Sequence, residues 1–544
     1  MSDHARARRE RCSVDHNPDV VLPDLVRQSG FTSLTVEGLQ TVAAKHGMSV
    51  ATLRGAISSF TEMHVSPDAV RVCAGTSCLL NGGLAVSKAL AEGSSCHPVY
   101  CLGYCDRSPV FMTPKDEVVP DATVADAAAG PGRPHPAPPL VRCVARSPVV
   151  TERLIPGGCH GGRSPYEGLD AALGMDPASI VRCVLESGVK GRGGAAYLTG
   201  RKWQLAAAAR GSIKYIVANG DEGDPGSFID RELMERDPHA ILEGMAIAAR
   251  AVGASKGIIF IRHEYPVACT ALHRAIVEAS ERGRIGPYVG FEVEVVRGQG
   301  SYVCGEETAL LAAIEGQRGE VRPRPPFPVE SGLFGMPTVV DNVETLANIG
   351  WLLRNGSRAY AAMGTTESRG TKALCFNRGF ARPGIVEVEF GMPLREAIVD
   401  LGGGGRDGSD LEAVLIGGPM GSIVTPDRWD VPICFAAMAR AGINLGHGGL
   451  VAIPKGTDWS ALLRHLVAFM RDESCGKCTP CRLGSQRLHA VIAAGLPERD
   501  LPETLGILSL MRDASLCAFG RETPGPVETV LRIMGRIGAS GATP

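Results

Sequence analysis

Four cysteines near the C-terminal end of the chain have a spacing that suits a metal cluster. Cys475, Cys478 and Cys481 form a C-x2-C-x2-C run, and Cys517 follows a later predicted helix. A cubane cluster needs one thiolate for each of its four irons. Zinc also accepts four thiolates, although structural zinc usually binds two separated C-x2-C pairs. The pattern therefore favours a [4Fe–4S] cluster over zinc.

A second set of cysteines lies in the first quarter of the sequence. Cys73 and Cys78 follow one predicted strand as C-x4-C, and Cys101 and Cys105 follow another as C-x3-C. Two pairs at adjacent strand ends suit a [2Fe–2S] cluster. A zinc site and reduced cysteines of a thioredoxin-like fold stay open as alternatives. Cys96 lies nearby, but its spacing breaks the pairing.

A glycine-rich loop, Gly191-Arg192-Gly193-Gly194-Ala195-Ala196, formally fits the looser dinucleotide fingerprint G-x-G-x-x-A. The preceding residues 180–186 have a helical pattern, whereas that fingerprint follows a strand. The Rossmann interpretation is therefore not favoured. The loop still offers backbone amides and, through Arg192 and Lys202, positive charge to a phosphate. An ordinary glycine turn is the alternative.

Two acidic loops add oxygen acceptors. Asn219-Gly220-Asp221-Glu222-Gly223-Asp224-Pro225-Gly226 follows a predicted strand and suits ribityl hydroxyls or a divalent metal. The segment Tyr302-Val303-Cys304-Gly305-Glu306-Glu307-Thr308 lies at a loop-to-helix junction, where capping of the helix is the simpler interpretation.

The helical and strand patterns around these residues alternate along the chain, which predicts an α/β multidomain protein. Pro131, Pro134, Pro136, Pro138 and Pro139 indicate a semi-rigid linker. We expect a disordered tail (1–30), a helical hairpin with a small α/β domain (31–125), the Pro-rich linker (126–155), a larger α/β domain (156–365), a small β-rich domain (366–450) and a helical bundle (451–544).

Composition excludes several classes. The 544 residues carry 56 Lys and Arg against 58 Asp and Glu, so no basic field favours nucleic acid. No segment is apolar enough to insert in a membrane, and the pair Arg8-Arg9 lacks the apolar stretch of an export signal. We expect a cytoplasmic protein. In a reducing compartment the 17 cysteines favour metal ligands over disulfides.

Taken together, the segment from about 160 to 540 resembles the flavin-binding, NADH-oxidising subunit of respiratory complex I and the related diaphorase subunits of NAD-dependent formate dehydrogenases and hydrogenases. The N-terminal unit resembles the thioredoxin-like [2Fe–2S] subunit of the same systems. The motifs that carry the resemblance are Gly191 to Gly194, Asn219 to Gly226, Tyr302 to Thr308, Pro325-Pro326-Phe327-Pro328, Asp341-Asn342-Val343-Glu344-Thr345 and Glu473 to Cys481.

The resemblance implies a thioredoxin-like ferredoxin domain, an α/β FMN-binding domain, a ubiquitin-like β-grasp domain and a C-terminal helical bundle with the cubane. It implies that NAD(H) stacks on the flavin, with its adenine between Tyr197 and Phe327. Asp224, Tyr302 and Glu307 would then lie near the nicotinamide and its ribose. The implied FMN site consists of Gly191, Arg192, Gly193, Gly194, Lys202, Asn219, Asp221, Glu222, Gly305, Glu306, Val340, Asp341, Asn342 and Thr345.

Three positions depart from the family pattern. Asp224 replaces a Glu near the nicotinamide, Leu205 replaces a Phe, and Asp341 replaces an Asn and puts a negative charge by the flavin. The resemblance implies direct hydride exchange between NAD(H) and FMN. Single electrons would then pass through the [4Fe–4S] cluster, with the [2Fe–2S] centre as a side store or additional relay.

The resemblance also suggests a partner. An intact fusion of the two units that ends after the bundle is most like the beta subunit of an NAD-dependent formate dehydrogenase, whose catalytic alpha subunit holds molybdenum or tungsten and iron–sulfur centres. A diaphorase subunit of an NAD-reducing hydrogenase or of a complex I-like NADH dehydrogenase is the alternative. A different class is a non-catalytic iron–sulfur scaffold that has lost its flavin.

Overall fold

The computed structural model describes residues 36–45, 49–129, 137–155 and 165–538. The expected tail, residues 1–30, lies outside this part of the chain. Within it, one buried cluster of apolar side chains runs from the cysteine pairs of the first unit to the parallel sheet of the larger α/β unit. The small N-terminal unit is therefore packed directly on the unit that carries the glycine-rich loop.

The first unit begins with a helical hairpin whose two helices bury Leu39, Val42 and Leu53 between them. A four-stranded sheet in the order β2-β1-β3-β4 follows. Strands β1 and β2 are parallel, while β3 pairs antiparallel with β1 and β4. The helices are Val36–Lys45, Val50–Ile57, Thr76–Leu80, Gly83–Ala91 and Val124–Ala129, and the strands are β1 (Val70–Cys73), β2 (Cys96–Val99), β3 (Phe111–Met112) and β4 (Val118–Val119).

The segment expected to be only a linker contains regular structure. Val141–Cys143 forms strand β5, which pairs with a strand of the third unit. The next residues are held by the buried carboxylate of Glu387, which accepts hydrogen bonds from the amides of Val149, Val150 and Thr151. Prolines at 138 and 139 prevent a helix here, but they permit an extended edge strand after them.

The larger α/β unit is built on four parallel strands in the order β8-β7-β6-β9. Ligands of such sheets bind beyond the carboxyl ends of the strands. Here β6 and β9 are neighbours, and Asn219 pairs in register with Asn342. The strands are β6 (Tyr215–Gly220), β7 (Lys256–Ile261), β8 (Glu292–Arg297) and β9 (Thr338–Asn342), and the helices are Glu167–Leu173, Pro177–Ser187, Thr199–Ala208, Ile229–Arg236, Pro238–Val252, Pro266–Glu281, Glu307–Ile314, Pro328–Ser331, Val343–Asn355 and Ser357–Ala361.

The third unit is a six-stranded mixed sheet in the order β13-β12-β14-β10-β11-β5. Lys372 on β10 and Glu344 on a helix of the preceding unit form a fully buried ion pair that joins the two units. The strands are β10 (Thr371–Phe376), β11 (Gly384–Glu389), β12 (Leu411–Ile416), β13 (Ser422–Val424) and β14 (Gly449–Pro454), and the helices are Leu394–Glu396 and Phe435–Arg440.

The C-terminal residues form a helical bundle. Apolar side chains at helical spacing, including Leu462, Leu466 and Met470, are buried against Leu488 and Leu508 from the neighbouring helices. In the part of the chain that the structure describes, no helix has both the length and the apolar character needed to cross a membrane. The helices are Trp459–Glu473, Thr479–Ala493, Leu501–Ala514, Ala518–Glu522 and Pro524–Ile533.

Candidate functional site

The four C-terminal cysteines meet at the start of two helices. Cys478 precedes the helix Thr479–Ala493, and Cys517 precedes Ala518–Glu522. Burial and the neighbouring cysteines raise the pKa of Cys481 to about 12, and burial raises the pKa of Cys517 to about 11. Iron binds cysteines as thiolates, so cluster binding would release the protons of these thiols. The donor set therefore fits a [4Fe–4S] cluster.

The four N-terminal cysteines also converge, and all four are buried. The Sγ atoms of Cys101 and Cys105 are 3.4 Å apart, and the Cys73 thiol contacts those of both Cys78 and Cys101. The amide of Gly226, from the first acidic loop, donates to Cys105 Sγ at 3.2 Å. The donor set fits a [2Fe–2S] cluster. Cys96 lies on β2 and is not one of these four converging thiols.

The glycine-rich loop presents bare backbone to the carboxyl ends of the strands. Gly194 has φ +112°, a conformation that side chains disfavour. A Cβ there would lie 3.4 Å from the backbone of Gly446, and one on Gly193 would lie 3.2 Å from Asn342 Cβ. The loop begins at Gly191, whose amide donates to the carbonyl of Tyr197.

The side chain of Arg192 does not supply the cation that the sequence suggested. Its guanidinium is buried and donates to Lys190 O, Arg369 O and the Tyr360 hydroxyl at 2.7 to 3.0 Å. The amide of Arg192 bonds Thr345 Oγ1 at 2.8 Å. Arg192 therefore holds the loop in place, because its charged end is already bound inside the protein.

Lys202 places a positive charge at the strand end, next to Asp341, the residue that replaces the Asn of the family pattern. Its Nζ donates to Val340 O at 2.6 Å and lies 3.2 Å from Asp341 Oδ1. The indole of Trp203 donates to Asp341 Oδ2 at 2.8 Å. The negative charge of Asp341 is therefore balanced by its own neighbours and does not stand unpaired at the site.

The first acidic loop leaves an oxygen atom free in the described structure. Asn219 Nδ2 donates to Gly305 O at 2.9 Å, whereas Asp221 Oδ2 is buried and has no hydrogen-bond partner among the described residues. Burial, together with Glu264 and Glu473, raises the pKa of Asp221 to about 8. A buried oxygen without a partner is costly unless a ligand satisfies it. A ribityl hydroxyl fits that need.

Glu222 faces away from this position. Its carboxylate accepts from the amides of Asp230 and Arg231 at 3.1 and 3.0 Å. Asn342 caps the helix Val343–Asn355 by accepting from the amide of Thr345, and its Nδ2 donates to Asp230 Oδ2 at 2.6 Å. Glu222 and Asn342 are therefore linked to each other through Asp230, to which both are hydrogen-bonded.

The second acidic loop starts the helix Glu307–Ile314. Glu306 accepts from the amides of Thr308 and Ala309, while its Oε1 lies 3.5 Å from Arg324 Nη2 in an ion pair. Glu307 pairs with Arg324 Nη1 at 2.7 Å. Arg324 was not predicted as a site residue, although it lies directly before the Pro325-Pro326-Phe327-Pro328 motif.

Tyr302 and Asp224 form one contact. The Tyr302 hydroxyl donates to Asp224 Oδ1 at 2.5 Å. Burial raises the pKa of Asp224, whereas the hydrogen bond from Tyr302 lowers it. The shorter acid at 224 is therefore still positioned by the tyrosine of the second loop.

Tyr302→Phe tests this contact. The variant loses a stabilising hydrogen bond, so Asp224 should stay protonated to a higher pH. We expect KM for NADH to rise roughly fivefold, because one such bond is worth about 1 kcal/mol, with the largest effect between the pKa of Asp224 in the native protein and its higher pKa in the variant. Steady-state NADH oxidation with ferricyanide against pH measures this. Tyr288→Phe, at a fully exposed tyrosine, is the control. An unchanged KM and pH profile would contradict the assignment.

Three exposed apolar side chains lie on adjoining elements. Tyr197 is 49%, Leu205 40% and Phe327 50% exposed. The helix Thr199–Ala208, which carries Leu205, packs against the helix Pro328–Ser331, which Phe327 precedes. Exposed aromatics in one region are typical of a surface that binds a flat ring.

A loop of the third unit, which no sequence motif predicted, completes the site. Gly446 contacts the glycine-rich loop, and Gly449 lies against Gly226 of the acidic loop. His447 between them contacts Glu222 and Asp230. The only sequence signal was the local run Gly446-His447-Gly448-Gly449.

Comparison with known proteins agrees with this geometry. Residues 184–351 match the Nuo51 FMN-binding domain, and residues 461–535 match the NADH-ubiquinone oxidoreductase-F iron-sulfur binding region. The fold and site therefore define an oxidoreductase subunit that binds FMN, NADH and a [4Fe–4S] cluster.

Individual proteins of known type are also similar to this chain. The NADP-reducing hydrogenase subunit HndC of Solidesulfovibrio fructosivorans is 42% identical over 371 residues, 66% of this chain and 76% of that protein. An NADH-quinone oxidoreductase subunit of Escherichia coli (strain K12) is 42% identical over 332 residues, 60% of this chain and 75% of that protein. A crystal structure of an NAD+-reducing [NiFe]-hydrogenase in the H2-reduced state superimposes with TM-score 0.82 at 28% identity, covering 94% of this chain and 91% of the other.

The chain belongs to the family of flavin- and NADH-binding diaphorase subunits, which includes this NADH-quinone oxidoreductase subunit and the corresponding hydrogenase subunits. It is a diaphorase-type electron-transfer subunit.

Proposed function

We propose that this chain exchanges hydride between NAD(H) and FMN at the carboxyl ends of β6 and β9 and passes single electrons to or from a partner. The observation that carries the proposal is the convergence there of the glycine-rich loop and the two acidic loops, with a buried carboxylate oxygen, Asp221 Oδ2, that has no hydrogen-bond partner among the described residues. In the proposed FMN site Arg192 contributes its backbone, and Glu222 acts through Asp230 and His447. The proposed site consists of Gly191, Arg192, Gly193, Gly194, Lys202, Asn219, Asp221, Glu222, Gly305, Glu306, Val340, Asp341, Asn342 and Thr345.

One set of residues binds the flavin and a second set orients NAD(H). When bound, FMN supplies hydride exchange with NAD(H) and one-electron exchange with iron–sulfur centres. Gly193 and Gly194 offer their backbone amides to the flavin, and Lys202 offers its ammonium. Asp221 and Glu306 offer carboxylate oxygens to its hydroxyls. The remaining side chains of the site, Tyr302, Asp224 and Glu307, orient the nicotinamide end of NAD(H), because hydride exchange needs the two rings held within reach of each other.

The two cysteine sets give the electron path. Cys475, Cys478, Cys481 and Cys517 hold the [4Fe–4S] cluster that connects to the partner. We assign the [2Fe–2S] cluster to Cys73, Cys78, Cys101 and Cys105 because their thiols converge and contact the acidic loop through Gly226. This second cluster acts as a side store or relay. The domain boundaries and the cytoplasmic location stay predictions.

The partner that we propose is the catalytic alpha subunit of an NAD-dependent formate dehydrogenase. The support is that the N-terminal cysteine set is complete and lies on the same chain as the flavin-binding unit. An NAD-reducing hydrogenase is the second candidate, because the hydrogenase structure covers 94% of this chain. Intact flavin loops argue against a scaffold without flavin.

The first test is an anaerobic titration of the full chain with NADH, followed by flavin absorbance and EPR. We expect flavin bleaching and two distinct reduced-cluster signals. Absence of bound flavin would overturn the proposal in favour of a scaffold. In the native complex, formate-dependent NAD+ reduction without hydrogen-dependent reduction is expected, and the reverse would identify the hydrogenase.

Restoring the missing aromatic tests the NAD(H) surface. Leu205→Phe should tighten NADH binding roughly two- to tenfold, because an aromatic contact contributes about 0.5–1.5 kcal/mol. Equilibrium binding of NADH to the flavin-loaded protein, reduced beforehand with dithionite so that NADH is not consumed, measures the change. Leu173→Phe, at a similarly exposed leucine on another helix, should leave it unaltered. Equal affinities of both variants and the native protein would exclude Leu205 from the surface.

A further inference from the structure

His447 is a buried histidine from the third unit that lies between two carboxylates of the flavin-binding unit. Only 4% of its surface is exposed. Its Nδ1 is 3.4 Å from Glu222 Oε1, and its Nε2 is 3.1 Å from Asp230 Oδ2. Each ring nitrogen therefore faces a different carboxylate.

This geometry decides the charge of the ring. A neutral imidazole has one donor and one acceptor nitrogen, so it can satisfy only one of two acceptor carboxylates. An imidazolium donates from both nitrogens and satisfies both. In agreement, Asp230 and Glu222 raise the pKa of His447 to about 9, against the opposing effects of burial and of Lys372 on β10.

The pair of contacts ties together separate parts of the candidate flavin site. Glu222 belongs to the first acidic loop and caps the helix Ile229–Arg236. Asp230 accepts from Asn342 Nδ2 at 2.6 Å, and Asn342 also lies 3.4 Å from His447 Nε2. Gly446, next to the histidine, packs on Gly194 of the glycine-rich loop.

We propose that His447 is a positioning residue for FMN: its imidazolium, donating to Glu222 and Asp230, holds the acidic loop and Asn342 in the arrangement that binds the flavin. The third unit thereby closes the flavin site. The inference deepens the proposed function, since it concerns how tightly that same site holds FMN.

The test compares FMN binding by the full-length protein and by His447→Gln. Flavin is removed and added back while its fluorescence is followed. We expect the dissociation constant of His447→Gln to rise at least roughly tenfold at pH 7, about the loss of one charge-assisted hydrogen bond. His273→Gln, at an exposed histidine, should bind like the native protein. Equal affinity of all three proteins would overturn the proposal.

The pH profile separates positioning from a general loss of structure. A raised pKa means that the stabilisation by protonated His447 is complete at low pH and is lost as pH rises through about 9. The native protein should therefore lose FMN affinity in that range, and the ratio of native to His447→Gln affinity should fall towards one. Asp221 titrates in both proteins, so the ratio removes its contribution, whereas the titration of Glu222 changes with its His447 contact and belongs to the network under test.

Two further variants, Asp230→Asn alone and Asp230→Asn combined with His447→Gln, test the network itself. Asp230→Asn combined with His447→Gln should cost less than the sum of the single effects, because both act through one contact. Additive effects, or a ratio that does not change with pH, would overturn the proposal. So would a stoichiometric divalent cation found in the purified native protein and absent from His447→Gln. If the native protein binds no FMN at any pH, the proposed function fails, and this is distinguishable from failure of the role of His447.

Discussion

Cys481→Ser is expected to remove the [4Fe–4S] cluster and to lower NAD(H)-linked electron delivery to the partner by roughly 100-fold or more. Cys481 is one of four thiols that must all be present for four irons. Loss of groups that only support a metal ligand already costs about 10- to 100-fold, so loss of a ligand should cost at least as much. Iron content and EPR of the native complex measure the cluster, and turnover with the partner measures delivery.

The same variant should keep its flavin. The loops that hold FMN lie on the parallel sheet, whereas Cys481 lies on the helix Thr479–Ala493. We therefore expect NADH to bleach the flavin of Cys481→Ser as it does in the native protein. Cys269→Ser, at a free cysteine outside both converging sets, is the control. A variant with an intact cluster signal would remove Cys481 from the ligand set, and one that delivers electrons normally would place the route elsewhere.

Gly194→Ala is expected to abolish stable FMN binding. The residue has φ +112°, where a side chain is strained by about 1–3 kcal/mol. The new Cβ would also lie 3.4 Å from Gly446 Cα, between the glycine-rich loop and the third unit. We expect the purified variant to contain roughly a tenth or less of the native flavin, measured by absorbance after denaturation.

Gly253→Ala separates backbone strain from the effect on the site. Gly253 also has a positive φ, but nothing lies within 4 Å of its would-be Cβ, and it ends a helix away from the loops. We expect a lower melting temperature with full flavin content. Flavin retained in Gly194→Ala would show that the loop does not approach FMN closely.

Much of the site could be predicted from the sequence because its signals are local. The three cysteines of C-x2-C-x2-C lie within a short stretch of chain at a helix start, so their spacing alone brings them together. The run from Asn219 to Gly226 follows a buried strand, and the position of a loop at a strand end is set by the pattern before it. Resemblance then joined these local motifs into one family.

The tertiary structure decided how distant segments use the same residue types. The sequence suggested Arg192 as a cation for a phosphate. In the structure its guanidinium instead donates to the Tyr360 hydroxyl and to the carbonyls of Lys190 and Arg369. Residues 141–143 carry no strong strand signal of their own and become a strand because β11 offers a free edge.

The sequence by itself indicated the [4Fe–4S] cluster through the spacing of Cys475, Cys478 and Cys481, and the resemblance of its loops to a known family implied FMN and NAD(H). Only the tertiary structure decided that Asp341 pairs with Lys202 and accepts a hydrogen bond from Trp203, and that His447 from the third unit contacts Glu222 and Asp230. The reason is physical: hydrogen bonds and charge balance depend on distances of a few ångströms between residues that lie far apart along the chain, and no local pattern contains those distances.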